Sequence, residues 1–170
     1  DLLRAYKKSK IGRKPALRSI KQACEFCVAM VFGKPYEEFY VMWLNTQNRV
    51  IHSEKLSEGG IKESPVYTDK VAASALRHHA VKAIIAHNHP GGNLSPSPSD
   101  LTTTQLILNA LALLNIELVD HIIVSNEQTF SFQADSLMGK REIKQTDAYA
   151  AEYSGVRQFV AVLAEEIGSR

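Results

Sequence analysis

The 170-residue sequence predicts an α/β domain, because helical and strand-like stretches alternate along it. Three observations carry this prediction. An amphipathic stripe begins near residue 20, a hairpin of aromatic and branched residues follows it, and the short apolar run at Ala83–Ala86 leads into a turn-rich loop and a long apolar stretch. With 45% hydrophobic residues, the chain can bury one sizeable core and still carry modest extensions.

From Ser19 to Phe32 the residues Ile20, Ala23, Cys24, Cys27, Val28 and Val31 recur at helical spacing, with Ser19 placed as a cap and Gly33 as a stop. The run EEFYVMWLN, residues 37 to 45, suits a strand; Asn45–Asn48 suits a turn, and a second strand runs through Arg49-Val50-Ile51. Residues 69 to 80 read as a helix, and Ala83–Ala86 as a strand buried inside a sheet. Pro98–Leu114 is apolar on most sides and is expected to be a largely buried helix. Two more strands follow, ELVDHIIVS and TFSF, joined by a turn at Asn126-Glu127-Gln128. Beyond Gln133 the chain is polar until Val156, Phe159, Val160, Leu163 and Ile167 draw the stripe of a final amphipathic helix. That helix needs a partner surface, in this chain or in a second copy, so a homo-oligomer through it is a candidate. The expected organisation is a basic arm over 1–18, a folded domain over 19–132, and a linker with a helix over 133–170.

Composition excludes several classes. No apolar run approaches the roughly 20 residues of a membrane-spanning helix, and DLLRAYKKSK lacks the apolar centre of a secretory signal, so a cytoplasmic protein with no membrane partner is expected. Cys24 and Cys27 supply only half of a four-cysteine zinc site and read as core or surface thiols. Net charge is +2, but residues 1 to 21 set Arg4, Lys7, Lys8, Lys10, Arg13, Lys14, Arg18 and Lys21 against the single acid Asp1. Nucleic acid is a candidate partner for this arm, although only Tyr6 offers a stacking face and no specific motif supports the contact.

The stretch AHNHPGGNLSPSPSD, residues 86 to 100, carries the chemistry. At a strand end, residues two apart share a face, so His87 and His89 aim at one point while Asn88 faces away. That suits one metal ion. Asp100 is a candidate third ligand, because the glycines and prolines turn the chain back before a helix begins. Three ligands of mixed nitrogen and oxygen type leave a fourth tetrahedral position for water, the arrangement of catalytic zinc, which lowers the pKa of that water to about 7. Local structure offers a rival explanation: Ser97-Pro98-Ser99-Asp100 is a well-formed helix start, with Ser97 as cap and proline at the first helical position. Spacing alone leaves both readings open, although capping does not account for the paired histidines. His52, His78 and His79 read as solvated or satisfied residues, and Asp120 and His121 as groups that back a ligand.

His87-x-His89, seven residues, Ser97, two residues and Asp100 match every specified position of the JAMM signature of the MPN metallopeptidase family. The phrases FYVMWLNTQNRVI, AIIAHNHPGG and NIELVDHIIV resemble its RadC-like bacterial branch, with JAB domains, from about Ser19 to Phe132. The resemblance implies a three-layer α/β/α sandwich similar to the cytidine deaminases, with a mixed central sheet. It further implies zinc (Zn2+) held by His87, His89 and Asp100, with Ser97 hydrogen-bonding the bound water or the developing oxyanion. A glutamate just ahead of a strand serves such enzymes as general base and then acid; Glu37 in PYEEF fits that place, with Glu38 the neighbour it is most easily confused with.

The activity so implied is zinc-dependent hydrolysis of amide bonds, peptide or isopeptide, in a peptide or protein-conjugate substrate. The alternative is an MPN-like binding module in a nucleic-acid or protein complex. Gly91, Gly60 and Asn93 stand where serine, threonine and aspartate are common in the RadC-like branch; these departures bear on substrate preference more than on zinc. The helix-hairpin-helix segment that many relatives carry is not evident, which makes a fragment of a longer protein an expectation. A deaminase is disfavoured, since the acid of its H-x-E motif is missing and no P-C-x-x-C follows.

Overall fold

A computed structural model describes residues 14–58 and 64–139. Residues 1–13 of the basic arm, and the C-terminal helix expected beyond residue 155, lie outside the described residues. In chain order the elements are α1 (Ile20–Val31), β1 (Glu38–Leu44), β2 (Val50–Glu58), α2 (Ser64–Arg77), β3 (Lys82–Asn88), α3 (Pro98–Leu113), β4 (Glu117–Ser125) and β5 (Gln128–Ser131).

The strands form one mixed sheet in the order β2-β1-β3-β4-β5, parallel only between β3 and β4. One face, built from Met42, Leu44, Ile84, Ala86, Ile122 and Val124, packs under α1 through Phe26, Cys27 and Val31. The other face carries Phe39, Val41, Trp43 and Ile85 against Val71 of α2 and Ile107 and Leu111 of α3. This is the expected three-layer α/β sandwich. β3 lies at its centre, buried on both faces, which is why its sequence reads as a nearly unbroken apolar run. Cys27 is a buried core thiol and Cys24 is half-buried. No described helix is long and apolar enough to cross a membrane.

Local signals set most of the boundaries. Ser19 Oγ accepts the Gln22 N–H at 3.2 Å and starts α1, while Gly33, at φ +73°, ends it in a backbone region that side chains disfavour. Three elements differ from expectation. β2 runs on to Glu58 rather than ending near Ile51. As an edge strand it is held by its backbone ladder to β1, so its polar stretch HSEKLSE lacks the apolar alternation of a half-buried strand. α2 starts at Ser64 rather than near residue 69, with Pro65 in its first turn, where a backbone N–H has no partner within the helix to lose. Leu101 of α3 remains at the surface, so that helix is less fully buried than expected.

A β-bulge in β4 decides which side chains reach the site. Ala83 pairs with Leu118, but Ile84 pairs with Asp120, so Val119 is an extra residue. A one-residue slip moves every later side chain to the other face. His121 thereby shares the α2/α3 face with Ile85 and His87, and Asp120 turns toward α1.

Candidate metal centre

The β3–α3–β4 unit brings the end of β3 to the start of α3, at the carboxyl end of the two parallel strands. His87 is fully buried and lies across from Phe39 on the α3 face, with its ring stacked at 6.1 Å from the phenyl ring. His89, just past β3, keeps its backbone N–H on Val124 O at 2.8 Å, while its own carbonyl accepts the Ser125 hydroxyl at 2.9 Å. Asp100, also buried, comes from the first turn of α3. His87 Nε2 stands 2.8 Å from His89 Nε2 and 3.2 Å from Asp100 Oδ1, and His89 Nε2 stands 3.5 Å from Asp100 Oδ2. Ligands at zinc distances of 2.0–2.1 Å around a tetrahedron lie about 3.3 Å apart, so the three separations already bracket a tetrahedral edge.

Hydrogen bonding fixes the tautomers. The Thr104 hydroxyl donates its one proton to the Asp100 carbonyl at 2.6 Å, so it accepts from His121 Nδ1, also at 2.6 Å. Burial, reinforced by the neighbouring His87, holds the fully buried His121 well below an ordinary imidazole pKa, so it is neutral and its Nε2 is an acceptor. His87 Nδ1 therefore donates to His121 Nε2 at 2.8 Å, leaving a lone pair on His87 Nε2. His89 Nδ1 donates to the Asn93 carbonyl at 2.7 Å, which leaves a lone pair on its Nε2 as well. Two imidazole lone pairs 2.8 Å apart, beside a carboxylate, repel unless a cation or a proton lies among them. The Asp100 carboxylate pulls the His89 pKa up against the opposing effect of burial. Burial raises Asp100 itself, but with protons on the facing imidazole nitrogens its bonds with His87 and His89 outweigh that and hold the carboxyl well below the usual range. The donor set thus fits a divalent cation of zinc type.

The two readings of Asp100 prove compatible. Its Oδ2 accepts the Ser97 backbone N–H and the Ser97 hydroxyl, both at 2.7 Å, and Ser97 Oγ accepts the Asp100 N–H at 3.1 Å, a complete capping box. Oδ1 faces His87. One carboxylate therefore caps α3 through Oδ2 while its Oδ1 faces His87, and Ser97 holds it in place.

Glu37 immediately precedes β1. Continuing the register from Phe39↔His87 sets it across from His89, on the face of the metal cluster, and its half-buried carboxylate acts on the His89 charge. It is not part of the ligand group. Glu38 occupies the opposite face, where its carboxylate accepts the Tyr40 hydroxyl at 2.5 Å and pairs with Lys34 at 3.3 Å and Lys55 at 3.4 Å. Asn88 also points away from the metal face. Its side chain accepts the Glu38 N–H and donates to the Tyr36 carbonyl, each at 2.8 Å, bracketing the backbone of Glu37.

His121 and Asp120 were both expected behind the ligands, but consecutive strand residues face opposite ways, and the bulge puts His121 rather than Asp120 on the metal face. Asp120 instead accepts the Ser131 hydroxyl at 2.6 Å and the Gln133 N–H at 2.9 Å. Thr104 was missed; the available signal was its place one helical turn after Asp100, on the same face of α3.

Residues 17–137 match the family model of the RadC-like JAB domain. UPF0758 protein YeeS of Escherichia coli (strain K12) is 38% identical over 123 residues, covering 72% of this chain and 83% of that protein. A UPF0758 protein of Janthinobacterium sp. (strain Marseille) is 37% identical over 117 residues, covering 69% of this chain and 52% of its own length. Another, from Vibrio atlanticus (strain LGP32), is 35% identical over 132 residues, covering 78% and 59%. The chain thus spans little more than half the length of these last two relatives. The chain belongs to the RadC-like JAB domain family.

Proposed function

We propose that the protein is a zinc-dependent hydrolase of amide bonds, peptide or isopeptide. The observation that carries this reading is the convergence of two imidazole lone pairs and a carboxylate on one point, with a further, uncoordinated glutamate on the same face. His87, His89 and Asp100 would hold the cation, which supplies Lewis-acid polarisation of a carbonyl and acidification of water. Thr104 and His121 keep the proton of His87 on Nδ1, and Ser97 keeps Asp100 turned toward the cluster. The Glu37 carboxylate takes a proton from the attacking water and returns it to the leaving amine nitrogen, so a C–N bond is exchanged for a C–O bond and an N–H bond. The Ser97 hydroxyl reaches an oxyanion only by turning away from Asp100. A cleft of about 310 Å³ borders His89 on the α1 side of the sheet, where Val31, Phe32, Asn88 and Val124 also line it.

The test is cleavage of quenched-fluorescence peptide and isopeptide libraries by the zinc-loaded chain and its variants. Glu37→Gln should retain zinc and lose about 100-fold or more in rate, while Glu38→Gln should stay close to the parent. Equal rates for Glu37→Gln and the parent, or no cleavage of either library by the metal-loaded parent, would overturn the reading.

A further inference from the structure

We propose that His52, Glu54 and His78 form a second site for a zinc-class divalent cation, at the outer edge of the sheet. His52 and Glu54 are two apart on β2 and lie across from Trp43 and Val41, so both face α2. A bulge at Ile51 secures this: Leu44 pairs with Val50 but Trp43 pairs with His52, which turns His52 toward the helix. His78 immediately follows α2, at its C-terminal cap, before the chain reverses. The His79 N–H bonds Leu76 O at 3.2 Å and the Ala80 N–H bonds Ala75 O at 3.0 Å, while His79 adopts φ +50°. These are the two bonds of a Schellman ending, so His78 is pinned rather than frayed. The negative end of the helix dipole also favours a cation there.

The side chains complete the argument. One ligand atom from each of the three residues lies within 4.8 Å of the others, and the His52 and His78 rings stack at 3.8 Å and 14°. No described residue hydrogen-bonds a ring nitrogen of either histidine. Glu54 Oε1 is held by Trp43 Nε1 at 3.3 Å and by the Ser74 hydroxyl, both from buried residues. Oε2 is left for a cation, in the way that carboxylate ligands are commonly oriented by a supporting bond on the other oxygen. Two imidazoles and one carboxylate suit zinc, whereas magnesium and calcium prefer oxygen ligands alone. All three residues are partly exposed, so an ion can enter. His52 lies level with Ala83, four residues before His87 and so about 13 Å back along the strand direction, which makes the two clusters separate. A cation here would clip the edge strand to α2.

Trp43 is the chain's one tryptophan, and its indole N–H touches Glu54, so a single resonance reports on this site. The experiment titrates zinc alone into the full chain, follows the Trp43 indole N–H by NMR, and measures bound zinc by elemental analysis after dialysis. Expected are two zinc ions per parent chain and one in the His87→Ala/His89→Ala/Asp100→Ala variant, with the Trp43 resonance still shifting to saturation. His52→Gln/His78→Gln should lose that shift and retain one zinc. A parent whose Trp43 resonance stays still through excess zinc overturns the second site, whatever happens at His87. Loss of the shift in the His87/His89/Asp100 variant, with its other resonances still dispersed as in a folded chain, overturns it too. A parent holding one zinc that only His52→Gln/His78→Gln removes would uphold this site and sink the proposed hydrolase.

Discussion

Replacing His121 with phenylalanine tests the chain of hydrogen bonds behind the metal cluster. The substitution preserves ring packing, since His121 stacks on Phe132 at 4.5 Å and meets Phe39 edge-on at 5.9 Å. What it removes is Nε2, the acceptor for His87 Nδ1–H in a fully buried setting. An unsatisfied buried donor costs about 1–3 kcal/mol, and His87 can escape most of that by moving its proton to Nε2. That escape blocks the lone pair the cation needs. The penalty should therefore fall on metal binding: a 10–100-fold loss of zinc affinity, equal to about 1.4–2.7 kcal/mol, with a much smaller change in the stability of the metal-free chain. Thr104→Val removes the acceptor for His121 Nδ1–H, together with the hydroxyl's own bond to the Asp100 carbonyl, but leaves His121 Nε2 in place and should give a weaker effect in the same direction. The assay is competition for zinc against a chromophoric chelator, with thermal melting of the metal-free proteins alongside. Parent-like zinc affinity in His121→Phe, with folding intact, would refute the tautomer assignment.

Other outcomes follow from neighbouring contacts. Ser97→Ala removes the cap of α3 and one of two donors to Asp100 Oδ2, so thermal melting should show a loss of about 1 kcal/mol, with zinc bound more weakly but not abolished. Burial raises the Glu38 pKa, but the Tyr40 hydroxyl and Lys34 outweigh it and lower the value overall. A folded pKa below the unfolded one stabilises the fold above the ordinary carboxylate range, and the benefit is lost as pH falls through the lowered value. Urea melts of Glu38→Gln should therefore fall short of the parent near pH 7, and the gap should close toward about pH 3. Asn88→Ala releases the Glu38 N–H and the Tyr36 carbonyl, so it should cut hydrolysis by loosening Glu37 while the dialysed zinc content stays at the parent level.

The parts of the site that depend on strand parity were legible in the sequence. His87 and His89 share a face, Asn88 does not, and the same rule separates Glu37 from Glu38. Capping and ligation by Asp100 looked like rivals because one-dimensional spacing does not divide a carboxylate into its two oxygens; the structure assigns Oδ2 to the cap and Oδ1 to His87. The facing of His121 and Asp120 was not legible. LVDHIIV in β4 is apolar on both sides around this pair, so nothing in its pattern marks the bulge at Val119 that turns them. The polar edge strand β2 hid its length for a related reason, and its histidine looked solvated because its partner, His78, lies a helix away in sequence.

Every catalytic role proposed here presupposes a cation at His87, His89 and Asp100. Diffraction from crystals of the zinc-loaded chain, collected at the zinc absorption edge, locates that ion without any knowledge of the substrate. The expected result is an anomalous peak about 2.0–2.1 Å from His87 Nε2 and His89 Nε2 and about 2.0–2.2 Å from an oxygen of Asp100. A map from zinc-loaded crystals with no peak among these three side chains would contradict it.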